Sequence, residues 1–214
     1  MATTAMTIAH RVAGPPVLRL LRPVVDGSAN VPRRGGMVYA ANHVSNLDNY
    51  LLSAASPRPV FFLGKRELAH GMVGAFNLAM GMVPIERGSG DRTAIDRLVR
   101  LLLDGEVVAL FPEGTRSPTG ELFRFRSGVA RVAHTAGVPV VPVGLRGTAA
   151  VWPRNSAPSL RRPPPRVLEV HFGQPIPAPD DDSGPTRRRW TEHLRARVAT
   201  LSGQHPAEAF APAE

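Results

Sequence analysis

Short apolar runs alternate with stretches of helical period along most of this chain, and that alternation constrains the fold more than any other feature. Ile95, Leu98, Val99 and Leu102 recur at i, i+3, i+4 and i+7. That spacing predicts a helix over Thr93–Asp104, with Gly105 as its stop. The strand-like run Val107–Phe111 follows and breaks off into "PEGTRS". Met37–Ala41 and Val60–Leu63 read as short buried strands, and Gly128–Ala136 as a helix stopped by Gly137. Val138–Leu145 is extended and apolar, and its two prolines predict an edge or irregular strand. Val167–Phe172 and Thr186–Leu201 read as a late strand and a late helix. This succession predicts an α/β fold, a mostly parallel central sheet flanked by helices. A chain of 214 residues, 43% of them hydrophobic, suffices for one such domain with a real core. The expected divisions are an N-terminal amphipathic helical element over residues 1–23, the domain over 24–201, and a frayed Ala/Pro-rich tail over 202–214.

In open α/β sheets ligands bind beyond the carboxyl ends of strands. Two polar motifs leave predicted strand ends. "NHVSNLD" (Asn42–Asp48) follows Met37–Ala41, and "PEGTRS" follows Val107–Phe111. Both are therefore expected on one rim.

The first motif has two readings. Ser45-x-x-Asp48 before an apolar run is a capping box with Asp in place of Glu. This accounts for both residues but not for His43. Residues five apart on one helix differ by about 140° and do not face each other. If the helix starts at Ser45, however, His43 lies in the preceding turn. A first-turn side chain leans back toward the N-terminus, which brings Asp48 within reach of His43 Nδ1. A His held by a carboxylate is poised as a general base. Helix capping and the dyad are compatible, and the stretch alone does not choose between them.

"FPEGTRS" (Phe111–Ser117) suits a phosphate-bearing ligand. Gly114 permits close backbone approach, Arg116 offers a planar fork to phosphate, and Glu113 can hold that Arg or accept from a substrate hydroxyl. The plainer reading is a salt-bridged turn. Arg87 in "GMVPIERG", taken singly, reads as a surface charge.

Composition removes several classes of chemistry. The chain has no cysteine, which excludes disulfides, thiolate metal sites and a Cys nucleophile. Neither G-x-S-x-G nor H-E-x-x-H occurs, so no Ser-hydrolase elbow and no such zinc site are expected. A net charge of +9 attracts nucleic acid, anionic lipid headgroups or phosphorylated small molecules. A nucleic-acid-binding module is the alternative from another class. The aromatic fraction of 6%, the scattered arginines and the lack of a recognised motif speak against it, so no nucleic-acid partner is expected.

No run reaches the roughly 18 to 20 apolar residues of a spanning helix. The longest, Gly71–Ile85, reads as a buried or interfacial segment. The N-terminus lacks the long apolar core of a secretory signal. Its apolar residues mix with Arg11, Arg19 and Arg22, which suits either an amphipathic element at a membrane surface or a helix packed on its own domain.

Taken in order, the motifs resemble those of the glycerolipid acyltransferase family, whose best-known members are 1-acylglycerol-3-phosphate acyltransferases. Asn42, His43 and Asp48 match its Asn-His-x4-Asp block. "GMVPIERG" with Arg87 matches the second block, "FPEGTRS" the third in full, and "VPVVPVGL" with Pro142 the fourth. "VVDGSANVPRRGG" resembles the family's lead-in, with Ala29 where an acidic residue is common. "GKREL" resembles its Lys-x-Glu-Leu segment and gives Lys65, the only lysine, a role. The resemblance runs from Val24 to Thr148 and weakly on to Leu201.

It implies a glycerol-3-phosphate acyltransferase-like fold and transfer of a fatty acyl group from a thioester to a lysophospholipid hydroxyl. His43 and Asp48 are then catalytic. Asn42, Lys65, Arg87, Glu113, Gly114, Thr115 and Arg116 are expected to bind substrate. No metal or bound cofactor is implied, since acyl-CoA or acyl carrier protein is a co-substrate. The implied setting is the cytoplasmic face of a membrane, with peripheral attachment to anionic lipids. The acceptor is expected to be 1-acylglycerol-3-phosphate, with another lysolipid as the alternative.

Overall fold

The computed structural model of the chain describes residues 4–85, 91–157, 159 and 162–212. Seven apolar segments pair into one sheet: β1 (Val24–Asp26), β2 (Met37–Ala41), β3 (Val60–Lys65), β4 (Met82–Ile85), β5 (Val107–Leu110), β6 (Val140–Arg146) and β7 (Glu169–Phe172). Their order is β1-β7-β6-β2-β5-β3-β4. Every pairing is parallel except β6 with β7.

Helices α1 (Thr4–Leu21), α2 (Leu47–Ala55), α3 (Gly71–Ala79), α4 (Asp91–Leu103), α5 (Gly128–Ala136), α6 (Thr148–Val151) and α7 (Gly184–Ser202) make the connections. The sheet is covered on both faces, so its central strands are apolar throughout rather than alternating. All five residues of β2 are buried. Met37, Tyr39 and Ala41 join the core beneath Leu47, Leu51 and Leu52 of α2. Val38 and Ala40 point the other way, into the core formed with Leu98 and Leu102 of α4, Val129 and Val132 of α5, and Leu194 and Val198 of α7.

The helix starts and stops follow local chemistry. Gly137 takes the left-handed conformation (φ 62°) and donates its N–H to Ala133 and His134, which ends α5 where the sequence predicts. Helix α7 begins two residues before the expected Thr186, because Ser183 caps it and Pro185 occupies its first turn.

Three expectations are revised, and one left open is filled in. The fourth-motif strand β6 is not an edge strand: it lies between β2 and β7. Pro142 is tolerated there because its carbonyl, which accepts from Gly173 N–H at 2.8 Å, shows that its proton-less nitrogen faces the chain just beyond β7. The segment Gly71–Ile85 is not one apolar unit but helix α3, a turn and strand β4. The expected tail does not fray over residues 205–209. Leu122 N–H donates to His205, Ala207 N–H to Leu122, and Arg124 N–H to Ala209, each at 2.9 Å. Buried Arg195 binds the carbonyls of both Leu122 and Ala207. Finally, α1 packs on the domain through Ala13, Val17 and Leu21, while Ile8, Val12 and Leu20 remain exposed.

Candidate active site

Parallel strands β2 and β5 end side by side, with Ala40 opposite Leu110. The chain therefore delivers His43 and Phe111–Ser117 to the same rim, as the two motifs predict. His43 Nδ1 lies 2.8 Å from Asp48 Oδ2. A carboxylate only accepts, so Nδ1 carries the proton and Nε2 is left as the acceptor. Asp48 is fully buried and the His43 side chain is 15% exposed, so the base meets solvent while its orienting partner does not.

The same Asp48 oxygen accepts the N–H groups of Val44 and Ser45, each at 2.8 Å. Ser45 Oγ accepts from Leu47 N–H at 3.0 Å and donates to the Trp152 carbonyl at 2.6 Å. The helix starts at Leu47 rather than Ser45, and its cap residue Asn46 makes no side-chain cap bond. The turn before the helix and the His–Asp dyad are built around one carboxylate.

The third motif clamps His43 from both sides. Glu113 Oε1 accepts from His43 N–H at 2.9 Å, and Ser117 N–H donates to the His43 carbonyl at 2.7 Å. Phe111 stacks on the imidazole with centroids 4.1 Å apart. Glu113 is wholly buried and its Oε2 accepts from Phe123 N–H at 3.0 Å. Burial pushes its carboxyl up to about 7 against the pull of these two N–H groups, and the charge of Asp48 pushes the same way. Glu113, expected to bind substrate, has each of its oxygens on a backbone N–H, one of them that of His43.

Asn42 is committed in the same manner. Its amide donates to the Leu145 carbonyl at 2.9 Å and accepts from Leu145 N–H at 2.8 Å, tying the end of β2 to β6. Gly114 has the left-handed conformation (φ 82°), but the space over it belongs to the protein. A Cβ there would stand 2.7 Å from Arg126 Nε. Arg126 carries no marked motif in the sequence, and only the fold places its guanidinium on this turn. Thr115 is buried with its hydroxyl unpartnered among the described residues, and Arg116 is half-buried in the same turn. Arg87 lies outside the described residues, as does the side chain of Lys65, whose backbone ends β3.

On the α2 side, an aromatic row leads away from the dyad. Tyr50 stacks on Trp152 at 6.2 Å and packs tilted against Phe76 at 5.9 Å, and its hydroxyl donates to Asn77 at 2.7 Å. Among the described residues no group of three or more His, Asp or Glu side chains is arranged to hold a metal ion.

The sequence and fold have known counterparts. The family model named Acyltransferase matches residues 22–146. The chain is 34% identical over 148 residues to the chloroplastic 1-acyl-sn-glycerol-3-phosphate acyltransferase BAT2 of Brassica napus, covering 67% of this chain and 43% of that protein. It is 26% identical over 185 residues to the 1-acyl-sn-glycerol-3-phosphate acyltransferase of Bacillus subtilis, covering 84% of this chain and 88% of that one. The crystal structure of the 1-acyl-sn-glycerophosphate (LPA) acyltransferase PlsC from Thermotoga maritima superposes with a TM-score of 0.68 at 25% identity, over 93% of this chain and 81% of that chain. The chain spans less than half the length of the Brassica relative.

Proposed function

The chain belongs to the acyltransferase family, and from that premise we propose that it transfers a fatty acyl group from acyl-CoA or acyl carrier protein to the free hydroxyl of 1-acylglycerol-3-phosphate, giving phosphatidic acid. The observation that carries this reading is the His43–Asp48 pair on a rim shared with the third motif. His43 Nε2 takes the hydroxyl proton as the acceptor oxygen attacks the thioester carbonyl. Asp48 holds the tautomer and stabilises the imidazolium that forms. When the C–S bond breaks, the imidazolium returns the proton to the departing thiolate. The acceptor oxygen is itself the nucleophile, so no acyl-enzyme and no bound cofactor are needed. Arg116, with Arg87 and Lys65, supplies the positive charge for the acceptor phosphate.

The reading extends to peripheral attachment at the cytoplasmic face of an anionic membrane. Its support is the exposed apolar surface of α1 and α3, where Met72 is 92% exposed and Val73 and Val12 about two-thirds exposed, together with the basic chain. No helix among the described residues is long and apolar enough to cross a membrane.

The test is an assay of labelled acyl-CoA against a panel of lysolipids. Transfer to lysophosphatidate above the other lysolipids is the expected result. Transfer to another lysolipid alone would move the acceptor assignment, and no transfer to any lipid would end the reading.

A further inference from the structure

The peptide unit between Leu122 and Phe123 is gripped from both sides. Its N–H, that of Phe123, donates to Glu113 Oε2 at 3.0 Å, and Glu113 Oε1 accepts from His43 N–H at 2.9 Å. Its carbonyl, that of Leu122, accepts from Arg195 Nη2 at 3.0 Å and from Ala207 N–H at 2.9 Å. A peptide unit is planar, so what fixes its carbonyl also fixes the direction of its N–H. A donor on the carbonyl polarises the amide as well, which strengthens the N–H bond to Glu113. A second path reaches the other backbone group of His43. The His43 carbonyl accepts from Ser117 N–H at 2.7 Å, Ser117 Oγ accepts from Gly120 N–H at 3.0 Å, and the Gly120 carbonyl accepts from the Gln204 side chain at 2.6 Å. Both paths end in α7 or the chain just after it, beyond the residues 22–146 that match the family.

Arg195 is the buried charge of this arrangement. It binds the Ala207 carbonyl as well as that of Leu122, and pairs with Glu192 at 3.3 Å. Burying a guanidinium is costly, and well-packed apolar residues often hold such a place as well or better. What the guanidinium adds is a set of donors in fixed directions and a positive charge. Both are directed at the support of Glu113. Burial raises the Glu113 carboxyl, and the charge of Arg195 is one of the influences that pull it back down.

We propose that Arg195 is a positioning residue for His43. It sets the Leu122–Phe123 peptide, and through it Glu113 and the His43 backbone, with Ala207 N–H as the second donor. The role of His43 rests on the acyltransferase reading of the site; the path of contacts from Arg195 to His43 does not.

The test uses Arg195→Gln, Arg195→Lys and Ala207→Pro in the full chain, with circular dichroism to confirm folding. Ala207→Pro removes the second donor from the half-buried tail and leaves α7 untouched, so it decides the question if Arg195→Gln does not fold. Amide hydrogen exchange is followed by NMR at Phe123 and His43, with the amides of β2 and β6 as the reference. The kcat and the separate KM values for palmitoyl-CoA and lysophosphatidate are measured alongside. In Arg195→Gln, exchange at Phe123 and His43 should quicken by roughly tenfold or more and kcat should fall by a similar factor, the loss of one charge-assisted contact. Ala207→Pro should shift both in the same direction, and Arg195→Lys should recover part of each. The strand amides and both KM values should stay near the wild type. Folded variants with wild-type exchange at Phe123 and His43 overturn the proposal. So does exchange that quickens equally across β2 and β6, which is a loss of stability alone, or a wild-type kcat, or a change confined to KM. If the wild type acylates no lipid yet the His43 amide still responds to Arg195→Gln, the positioning path stands and the reaction assignment falls.

Discussion

His43 donates its Nδ1 proton to Asp48 Oδ2 across 2.8 Å, and that oxygen also closes the turn onto the N–H groups of Val44 and Ser45. The orienting carboxylate cannot be moved without disturbing the helix start, nor the helix start without disturbing the base. His43→Ala should lower kcat by a factor on the order of 10² to 10⁴, the usual contribution of a general base, while leaving the melting temperature nearly unchanged. Full activity in that variant would remove His43 from the mechanism.

Asp48→Asn separates the two duties. The amide oxygen can still accept from Val44 and Ser45, but it cannot stabilise an imidazolium. Activity per folded molecule should fall by roughly 10³ to 10⁴, with little loss in a urea titration. A large stability loss with surviving activity would make Asp48 a capping residue alone.

Glu113 sets a pH dependence of stability. Its folded-state pKa is raised from 4.5 to about 7, so the folded protein binds this proton more tightly than the unfolded chain does. The stabilisation is fully present below about 4.5 and is lost as pH rises through about 7. Unfolding free energy measured across that window should carry this downward component. In Glu113→Gln the component should vanish, and the fold should weaken by about 1 to 3 kcal/mol, because an amide nitrogen replaces one acceptor of a buried N–H. A variant with the wild-type slope would show that another group titrates there.

Asn42→Ala leaves both backbone groups of Leu145 without their side-chain partner inside the protein. We expect a loss of roughly 2 to 4 kcal/mol from the two unsatisfied groups, read as a lower midpoint in denaturant at unchanged slope. A near-neutral result would return Asn42 to direct contact with substrate.

Arg116→Ala should raise the KM for lysophosphatidate more than that for the acyl donor, by roughly tenfold for one charge-assisted phosphate contact. Arg116→Lys should recover only part of the loss, since an ammonium replaces two parallel N–H bonds with a point charge. A rise confined to the donor would reassign this arginine.

For the membrane surface, the double variant Met72→Glu/Val73→Glu puts two acids on the exposed part of α3. Sedimentation with vesicles containing anionic lipid should fall sharply, and wild-type binding should weaken in high salt, since each basic residue near the surface contributes about 1 kcal/mol. Equal sedimentation of variant and wild type would take α3 out of the docking face.

What the sequence made legible follows from the range of each signal. Helical period, glycine stops and capping are local, so α4, α5 and the place of His43 beside Asp48 are readable within a few residues. The expectation that prolines mark an edge strand failed at Pro142. The rule concerns a missing N–H, and here that nitrogen faces the chain past the end of β7. The duties of Glu113 and Asn42 depend on partners 70 and 103 residues away, His43 and Leu145. Arg126 over Gly114, and Gln204 on the Gly120 carbonyl, are likewise visible only once the sheet has ordered its strands.

The pairing of Leu122 and Arg124 with His205–Ala209 has a consequence for synthesis. On the ribosome, His43 emerges early and the residues that fix its backbone emerge later. Glu113 and Ser117 come with β5. Phe123, which holds Glu113, lies in a segment that gains its pairing with residues 205–209 only when these have left the exit tunnel. A growing chain therefore carries its base long before it carries a finished site. Translation that stops short of His205 yields a polypeptide with every motif residue present and the Leu122–Arg124 segment beside Glu113 without its C-terminal partner.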